Sequence, residues 1–229
     1  MESMDPHPTV RPRSFVLRGR RTESQQRAID RFWDRWGVDF DSEILDLDSI
    51  FSRRAPRSVE IGFGDGENLL ARAGADPDRD FLGIEVHAAG VGRVLAEIDA
   101  RQLSNVRIIR HDAVEVFESG LDTASIDELL VFFPDPWPKA RHHRRRLIRP
   151  DIVAILSRAL AVDGVFRLAT DWEPYATQMF AVLDAEPLLY NVAGSGQSVP
   201  RPAQRPITKF ERRGVGLGHS IVDLEYRRR

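Results

Sequence analysis

Glycines recur at every second position directly after a short apolar segment, at Gly62, Gly64 and Gly66. Glycine permits the sharp turns and the close backbone approach that a nucleotide-like ligand requires. The spacing departs from the dinucleotide fingerprint G-x-G-x-x-G, because Glu67 stands where the third glycine would be. The acidic Glu60 ahead of the loop suits an ammonium group and would repel a diphosphate. The loop therefore favours S-adenosylmethionine as the ligand, and a nicotinamide dinucleotide fits this spacing less well.

Acidic residues also end the next two predicted strands. Glu85 follows the strand at residues 81–84, where a carboxylate can accept hydrogen bonds from both hydroxyls of a ribose. Asp112 follows the strand at residues 106–110 and could receive an adenine amino group or fix the loop beside it. Each acid taken alone fits an ordinary turn as well as a binding site. Because three successive strands end in this way, we predict a cofactor site.

A rigid segment, here called the proline loop (residues 133–139), follows the fourth predicted strand. Its prolines should hold Asp135 and Trp137 toward the cofactor. An acid next to an aromatic ring suits a nucleobase, which can stack on the ring while its edge bonds to the carboxylate. A proline-rich turn with Trp137 in the core would show the same residues. A second acid–aromatic pair, Asp171 and Trp172, ends the fifth strand at the same rim and favours the functional interpretation.

Positive charge is concentrated locally, although the formal net charge of the chain is only −2. Local charge density decides whether a surface attracts a polyanion. Basic residues cluster within residues 11–21, 139–149, 209–213 and 227–229. The position of the second cluster directly after the proline loop favours RNA contact over a merely solvated face. The histidines show no metal-ligand spacing, so His142 and His143 are interpreted as RNA contacts or spectators, and we predict no metal.

Length and composition fit one globular enzyme-sized unit. A chain of 229 residues accommodates a single α/β domain, and 42% hydrophobic residues suffice for a sizeable core. The chain has no cysteine, which excludes disulfides, thiolate metal sites and thiol catalysis. It contains no apolar run near the roughly 20 residues of a membrane helix, and its first residues lack the hydrophobic stretch of a secretory signal. We therefore expect a cytoplasmic protein without membrane attachment.

Strands and helices alternate along the chain, which predicts a doubly wound, mostly parallel sheet in a Rossmann-like α/β fold. Seven strands are predicted, at residues 58–61, 81–84, 106–110, 126–133, 164–169, 188–192 and 220–226. Helices are predicted at residues 22–36, 68–73, 87–103, 151–160 and 174–183. Ligands of such sheets bind beyond the carboxyl ends of the strands, where every motif above falls. Residues 1–20 are predicted to be a flexible basic arm and residues 21–229 a single domain, with a mobile loop at residues 194–206.

Four segments, VEIGFGDG, PDPWPKARHHRRR, TDWEPYA and TKFERRG, resemble in order and spacing those of the bacterial tRNA (guanine-N7-)-methyltransferases. The resemblance runs from about Ser14 to the C-terminus. The second segment is highly specific, whereas the glycine loop is shared by methyltransferases at large. The resemblance implies a class I S-adenosylmethionine-dependent methyltransferase that acts on N7 of a guanine in the variable loop of tRNA. It implies tRNA as partner, a monomer or homodimer, and no obligate protein partner.

The resemblance also implies roles for individual residues. The cofactor site would comprise Glu60, Gly62, Gly64, Gly66, Glu85, Asp112 and Asp135. Asp135 would also be the catalytic position. Substrate contacts would be Lys139, Asp171, Thr208, Lys209, Phe210 and Glu211. RNA-contacting residues would be Arg141, His142, His143, Arg144, Arg145 and Arg146. Two departures are small: Ala140 stands where many members carry a second lysine, and Asp65 with Glu67 makes the glycine loop more acidic than usual.

The chemistry agrees with this assignment. Guanine N7 carries a lone pair and no proton, so its methylation needs positioning and electrostatics but no general base. Carboxylates such as Asp135 and Asp171 could stabilise the cationic product ring or accept hydrogen bonds from guanine N1 and N2. Two alternatives stay open: methylation of an exocyclic amine of adenine or guanine, which must remove a proton, and a non-catalytic RNA-binding protein with a relic cofactor fold. The retained Glu60, Glu85 and Asp135 argue against the relic.

Overall fold

This computed structural model describes residues 13–16, 21–216, 218 and 220–229, without the side chains of Phe210 and Arg213. One mixed sheet of eight strands runs through the described residues. The strands are β1 Gly37–Val38, β2 Arg57–Ile61, β3 Asp80–Ile84, β4 Val106–Ile109, β5 Ile126–Phe132, β6 Leu160–Thr170, β7 Leu189–Asn191 and β8 Val222–Arg228. Their order is β1-β4-β3-β2-β5-β6-β8-β7. The pairs from β1 to β6 are parallel, whereas β8 lies antiparallel between β6 and β7.

Helices connect these strands. They are α1 Glu23–Trp36, α2 Leu47–Phe51, α3 Glu67–Ala75, α4 Ala88–Ala100, α5 Ala113–Glu115, α6 Pro150–Ala159, α7 Glu173–Asp184 and α8 Lys209–Gly216. A π-helical turn, Val116–Gly120, continues α5, and a 3₁₀ helix, Ala140–Arg145, follows the proline loop. Every helix in the described ranges is too short or too polar to span a membrane.

Two hydrophobic clusters hold the sheet from opposite sides. All five residues of β3 are buried, as expected for a central strand that is covered on both faces. Phe81 packs in one cluster with Leu95 of α4, whereas Leu82 packs in the other with Leu156 of α6. Because successive side chains of a strand point to opposite faces, the clusters lie on the two sides of the sheet. The carboxyl ends of the central strands are thereby held together at one edge.

The predicted fold class is confirmed, and each predicted strand is present within a few residues. The eighth strand, β1, contributes two residues beside β4 and is too short to show an alternating pattern. Strand β6 begins at Leu160 and not at residue 164, because its register against β5 shifts between Ile126 and Glu128. The turn-like Asp163, which has a φ of 63°, therefore stays inside the strand.

Helices α2 and α8 occupy segments for which the sequence pattern predicts no helix. Helix α2 follows Asp46, whose carboxylate accepts the backbone N–H of Ser49 at 3.1 Å. Helix α8 follows Thr208, whose hydroxyl accepts the backbone N–H of Glu211 at 3.3 Å. These helices have five and eight residues, so their apolar periodicity is brief and only the capping residues signal them. Of the predicted basic arm, residues 1–12 and 17–20 lie outside the described residues.

Candidate active site

A cavity of about 270 Å³ opens at the carboxyl ends of β2, β3, β4 and β5. Its lining combines apolar side chains such as Phe63 and Ile84 with carboxylates. The sequence-predicted site residues in the lining are Glu60, Gly62, Gly64, Glu85, Asp112, Asp135, Thr208 and Lys209. Ser14 and Phe15, in the segment that precedes α1, also line it and were not singled out from the sequence.

The glycine loop turns beside this cavity with backbone angles that other residues rarely adopt. Gly62 has a φ of 72°, and a Cβ built on it would meet no atom within 4 Å, so it leaves open space at the lining. Gly66 is the N-cap of α3, where a Cβ would lie 2.3 Å from Cγ2 of Val94 in α4. Gly66 therefore allows α3 to pack closely against α4. It was predicted to belong to the cofactor site, but it lies outside the cavity lining.

Glu85 ties the glycine loop to the start of α4. Its Oε2 accepts the backbone N–H of Gly64 at 2.9 Å. Its Oε1 accepts the N–H groups of Val86 at 2.8 Å and His87 at 3.0 Å. Each carboxylate oxygen can accept two hydrogen bonds, so Oε2 retains capacity for one ligand donor. The sequence pattern predicts two ribose hydroxyls here, whereas the fold uses most of the carboxylate to shape the loop.

Glu60 is a buried acid in the cavity lining. It is 4% exposed, and its Oε2 accepts a hydrogen bond from Nδ2 of Asn68 at 2.8 Å. Burial raises the pKa of the Glu60 carboxyl to about 7, with Arg72 opposing the shift and Glu128 adding to it. A carboxyl group near its ionisation midpoint at neutral pH gains strongly from a cationic ligand.

Asp112 fixes the loop that follows β4. Its Oδ1 accepts the backbone N–H of Val114 at 2.9 Å and caps α5. Burial raises the pKa of Asp112, and this hydrogen bond opposes the shift. The neighbouring His111 bonds through Nε2 to Glu115 at 2.6 Å. In the part of the chain that the structure describes, no group of three or more histidine or acidic side chains could hold a metal ion.

Asp135 lies exposed in the cavity lining, on a loop with strained ends. Phe133 and Trp137, two residues before and after it, have φ angles of 53° and 44°. Such angles cost a non-glycine residue on the order of 1–3 kcal/mol and persist only where the surroundings fix them. The proline loop therefore holds Asp135 at the cavity by a conformation that its neighbours impose.

Trp137 supports the proline loop from within, and the prediction that its ring offers a stacking surface is wrong. The side chain is buried and lies outside the cavity lining. Its Nε1 donates to the carbonyl oxygen of Ser14 at 3.0 Å, and the guanidinium carbon of Arg145 lies 4.9 Å from its ring centroid. Phe15 and Phe133 are aromatic residues that do line the cavity.

The basic run after the proline loop forms the 3₁₀ helix and is only partly exposed. The exposed members are Lys139, Arg141 and Arg144. The partly buried members are His142, His143 and Arg145. The surface that could meet a phosphate backbone is therefore carried mainly by the exposed three.

Arg146 must be removed from the predicted RNA-contacting set. Its side chain is 2% exposed. Its Nε donates to the carbonyl oxygen of Pro136 at 2.8 Å, it bonds to Gln178, and its guanidinium carbon lies 4.8 Å from the ring centroid of Tyr175. Because every side of the guanidinium is enclosed by protein, Arg146 braces the proline loop and does not face solvent.

The start of α8 forms another part of the lining, through Thr208 and Lys209. Glu211 was predicted as a substrate contact, but it is 5% exposed and lies outside the lining. Its Oε2 and Oε1 accept hydrogen bonds from Arg205 at 2.5 Å and 3.3 Å. The carboxylate is thus committed to a buried ion pair and cannot face a substrate directly. The side chain of Phe210 lies outside the described part of the structure.

Two further predicted substrate contacts lie near the cavity but not in its lining. Asp171 follows β6 and packs on α8 at Gly214. A Cβ added to Gly214 would lie only 2.9 Å from Oδ2 of Asp171. Lys139 is exposed at the end of the proline loop.

Sequence reasoning also missed that Glu67 and Asp65 face α8: Asp65 Oδ2 lies 4.0 Å from Nζ of Lys209. Their signal was the acidity of the glycine loop.

Comparison with solved structures identifies the fold. An antibiotic-related methyltransferase matches with a TM-score of 0.56 and 18% identity, over 84% of this chain and 95% of that chain. The aminoglycoside resistance methyltransferase NpmB1 matches with a TM-score of 0.53 and 16% identity, over 82% of this chain and 95% of that chain. At such low identity the likeness concerns the fold alone, which is the Rossmann-like fold of class I methyltransferases.

Comparison of sequences identifies the family. A family model described as putative methyltransferase matches residues 54–224. The tRNA (guanine-N(7)-)-methyltransferase of Leifsonia xyli subsp. xyli is 69% identical over 98% of this chain and 99% of its own length. The protein of the same name from Pseudomonas aeruginosa strain PAO1 is 49% identical, over 99% of this chain and 95% of its own length. The chain therefore belongs to the tRNA (guanine-N(7)-)-methyltransferase family.

Proposed function

We propose that this protein transfers the methyl group of S-adenosylmethionine to N7 of a guanine in the variable loop of tRNA. The observation that carries the proposal is that Asp135, on its strained loop, lines the same cavity as Glu60, Glu85 and Asp112. The latter three suit a cationic nucleoside, and Asp135 suits a base that becomes positively charged. The names of the curated relatives support the same reaction.

The residues around the cavity fit S-adenosylmethionine. Glu60, with its pKa raised to about 7, is the group that would gain most from a neighbouring ammonium. Glu85 retains acceptor capacity on Oε2 for a ribose hydroxyl, and Asp112 retains its Oδ2 for an adenine amino group. When bound, S-adenosylmethionine supplies a methyl group activated by a sulfonium. Phe63 and Ile84 give part of the lining an apolar surface.

The protein need not move a proton in this reaction, because guanine N7 offers a lone pair and carries no hydrogen. The guanine ring becomes cationic as the new N–C bond forms. Asp135 is placed to stabilise that growing charge or to accept hydrogen bonds from N1 and N2. Thr208 and Lys209 form the neighbouring wall against which the base would be held. Lys139 and Asp171 would contact the nucleotide or its surroundings from outside the lining. Phe210 is kept as a proposed substrate contact on the strength of the family resemblance alone.

We assign the tRNA backbone to the exposed basic surface beside the proline loop. Lys139, Arg141 and Arg144 present their charges to solvent there, and the partly buried Arg145 lies next to them. Phosphate contacts made by such residues carry affinity but little base specificity. Base selection would then rest on Asp135 and the wall formed by α8. A tRNA substrate also supports a cytoplasmic site of action.

The test is to incubate the purified protein alone with unmodified tRNA and labelled S-adenosylmethionine, digest the RNA to nucleosides and map the labelled one by mass spectrometry. The proposal expects 7-methylguanosine at one guanine of the variable loop. Methylation of an exocyclic amine would instead identify the alternative reaction, which requires loss of a proton. Tight tRNA binding without any methylation would favour the non-catalytic alternative. Activity without added factors would establish that no obligate protein partner is needed.

A further inference from the structure

Arg205 is a buried arginine between β7 and α8, in a segment that the sequence pattern predicts to be mobile. Its side chain is 2% exposed. Nε and Nη2 donate to the two carboxylate oxygens of Asp223 in β8, both at 2.9 Å. Nη1 and Nη2 donate to the carboxylate of Glu211 in α8, at 2.5 Å and 3.3 Å. The segment is thus fixed to the sheet and to α8 at this point.

Through Glu211, Arg205 acts on one wall of the cavity. The backbone N–H of Glu211 donates to the hydroxyl of Thr208 at 3.3 Å and completes the cap of α8. Thr208 and Lys209, which begin this turn, line the cavity. Because both oxygens of Glu211 are held by Arg205, the orientation of that first turn depends on the guanidinium.

Arg205 also contacts the base of the proline loop. Its guanidinium carbon lies 5.6 Å from the ring centroids of both Phe132 and Phe133. A guanidinium near an aromatic ring is attracted by the ring quadrupole. Phe133 has a φ of 53°, lines the cavity and stands two residues before Asp135. The same guanidinium therefore restrains the strained residue from which the proline loop departs.

We propose that Arg205 is a positioning residue for methyl transfer, which sets the wall at Thr208 and Lys209 at a fixed separation from Asp135. The proposal rests on the proposed function, because it takes guanine to be held between these two walls. A planar guanidinium has five donors in a rigid fork and can bridge two carboxylates at once, whereas a lysine ammonium is a point charge on a flexible stem. A buried ion pair by itself adds little net stability to a protein. The contribution of Arg205 is therefore the geometry that its bonds to Glu211 and Asp223 fix.

The chain offers a matched control at Arg167. This arginine also bridges two carboxylates: it bonds to Glu128 in β5, and its Nε donates to Glu225 in β8 at 2.8 Å. It lies outside the cavity lining. If bridging two acids mattered only to folding, loss of the fork should have similar consequences at Arg167 and Arg205.

The experiment compares Arg205→Lys and Arg167→Lys in the full chain, each of which keeps a positive charge for its carboxylates. Thermal melting reports folding, calorimetry with S-adenosylhomocysteine reports the cofactor site, and single-turnover methylation at saturating tRNA reports positioning. We expect Arg205→Lys to slow methyl transfer by about 10- to 100-fold, with cofactor affinity within about twofold of wild type. Arg167→Lys should keep its rate within about threefold even if its melting temperature falls.

A folded Arg205→Lys variant that transfers methyl groups at the wild-type rate would overturn the proposal. So would equal rate losses in the two variants. If Arg205→Lys fails to fold, Glu211→Gln decides, since it keeps an acceptor for Arg205 but weakens the bond: slowed transfer supports the proposal, and an unchanged rate refutes it. Wild-type protein is assayed in every series, so absence of 7-methylguanosine there would count against the proposed function and not against the role of Arg205.

Discussion

The carboxylate of Glu67, the first residue of α3, accepts a hydrogen bond at 2.5 Å from the backbone N–H of Lys209, the first residue of α8. Its other oxygen lies 3.1 Å from Nη2 of Arg212. The N-termini of both helices carry partial positive charge, so an acid is favourable where they meet. The residue that replaces a fingerprint glycine therefore joins the glycine loop to the wall of α8.

Substitution of Glu67 by Gln should weaken this junction without unfolding the protein. The amide keeps the shape but loses the charge-assisted bonds to α8, so we expect kcat/KM for tRNA to fall by about 3- to 10-fold. The melting temperature should change little, because exposed ion pairs contribute about 0–1 kcal/mol. The control is Glu97→Gln, which removes the exposed pair with Arg101 outside the cavity lining. An equal kinetic loss in both variants would contradict this role.

Glu60 should make cofactor binding depend on pH. Burial raises its pKa to about 7, so the carboxyl is largely protonated at pH 6 and ionised at pH 8. An ammonium is held by the ionised form, and we therefore expect affinity for S-adenosylhomocysteine to rise between these two pH values with release of a proton. Calorimetry in buffers of different ionisation enthalpy measures that proton. A pH-independent affinity in the wild-type protein would rule out this linkage.

The same shift predicts that Glu60→Gln stabilises the unliganded protein. Because the folded pKa of about 7 exceeds the ordinary value of 4.5, the stabilising contribution of the protonated group is full below pH 4.5 and is lost as pH rises through 7. Glutamine removes the penalty for the buried charge, which is at most about 3 kcal/mol. Denaturant unfolding at pH 8 should show a higher free energy of unfolding for the variant, and the difference should vanish near pH 4. A less stable variant at pH 8 would contradict the sign.

Asp135→Asn should affect turnover far more than cofactor binding. The amide fits the same space on the proline loop but cannot stabilise a guanine ring that becomes cationic. We expect the single-turnover rate to fall by about 100-fold, with the affinity for S-adenosylhomocysteine nearly unchanged. Glu85→Ala is the opposite case, since it should weaken cofactor affinity by roughly 1–3 kcal/mol. Wild-type turnover in Asp135→Asn would leave the loop with a structural role only.

The contribution of the basic surface to tRNA affinity should appear as a dependence of that affinity on salt concentration. Replacing the exposed Arg141 and Arg144 by Gln should flatten the slope of log K against log salt by about one unit for each phosphate that is no longer neutralised. Arg146→Gln should leave the slope unchanged and lower the melting temperature, because Arg146 is buried against Pro136 and Tyr175. Binding titrations at several salt concentrations distinguish these cases. Equal slopes in the wild type and both variants would place the RNA path elsewhere.

The sheet and the meeting of three acids at one cavity could be predicted from the sequence because their signals are local. Glu60 lies one residue before the end of β2, Glu85 directly after β3 and Asp112 three residues after β4. Parallel strands bring their carboxyl ends to one edge of the sheet, so the three acids meet at the cavity. The glycine loop follows the first of these strands directly. In such a case the order of residues along the chain already determines which side chains meet.

The supporting charges could not be predicted because their partners are distant in sequence. Arg146 was predicted to contact RNA, and Arg205 fell in the predicted mobile loop, but each is enclosed by groups from other elements, such as Tyr175 and Asp223. A local pattern reports that a residue is charged and not what compensates the charge. The same limit applies to Trp137, because its indole N–H donates to a carbonyl oxygen 123 residues earlier in the chain.

The sheet order also constrains the sequence of events during synthesis. Strand β8 follows β7 in the chain, yet it lies between β6 and β7 and is the strand that pairs with β7. While residues 189–191 leave the ribosome they have no strand to join, and they must wait until residues 222–228 have been added. Arg205 likewise meets Asp223 only at that stage. The ion pair that fixes the start of α8 therefore depends on a strand, β8, that is synthesised after the glycine loop and β5.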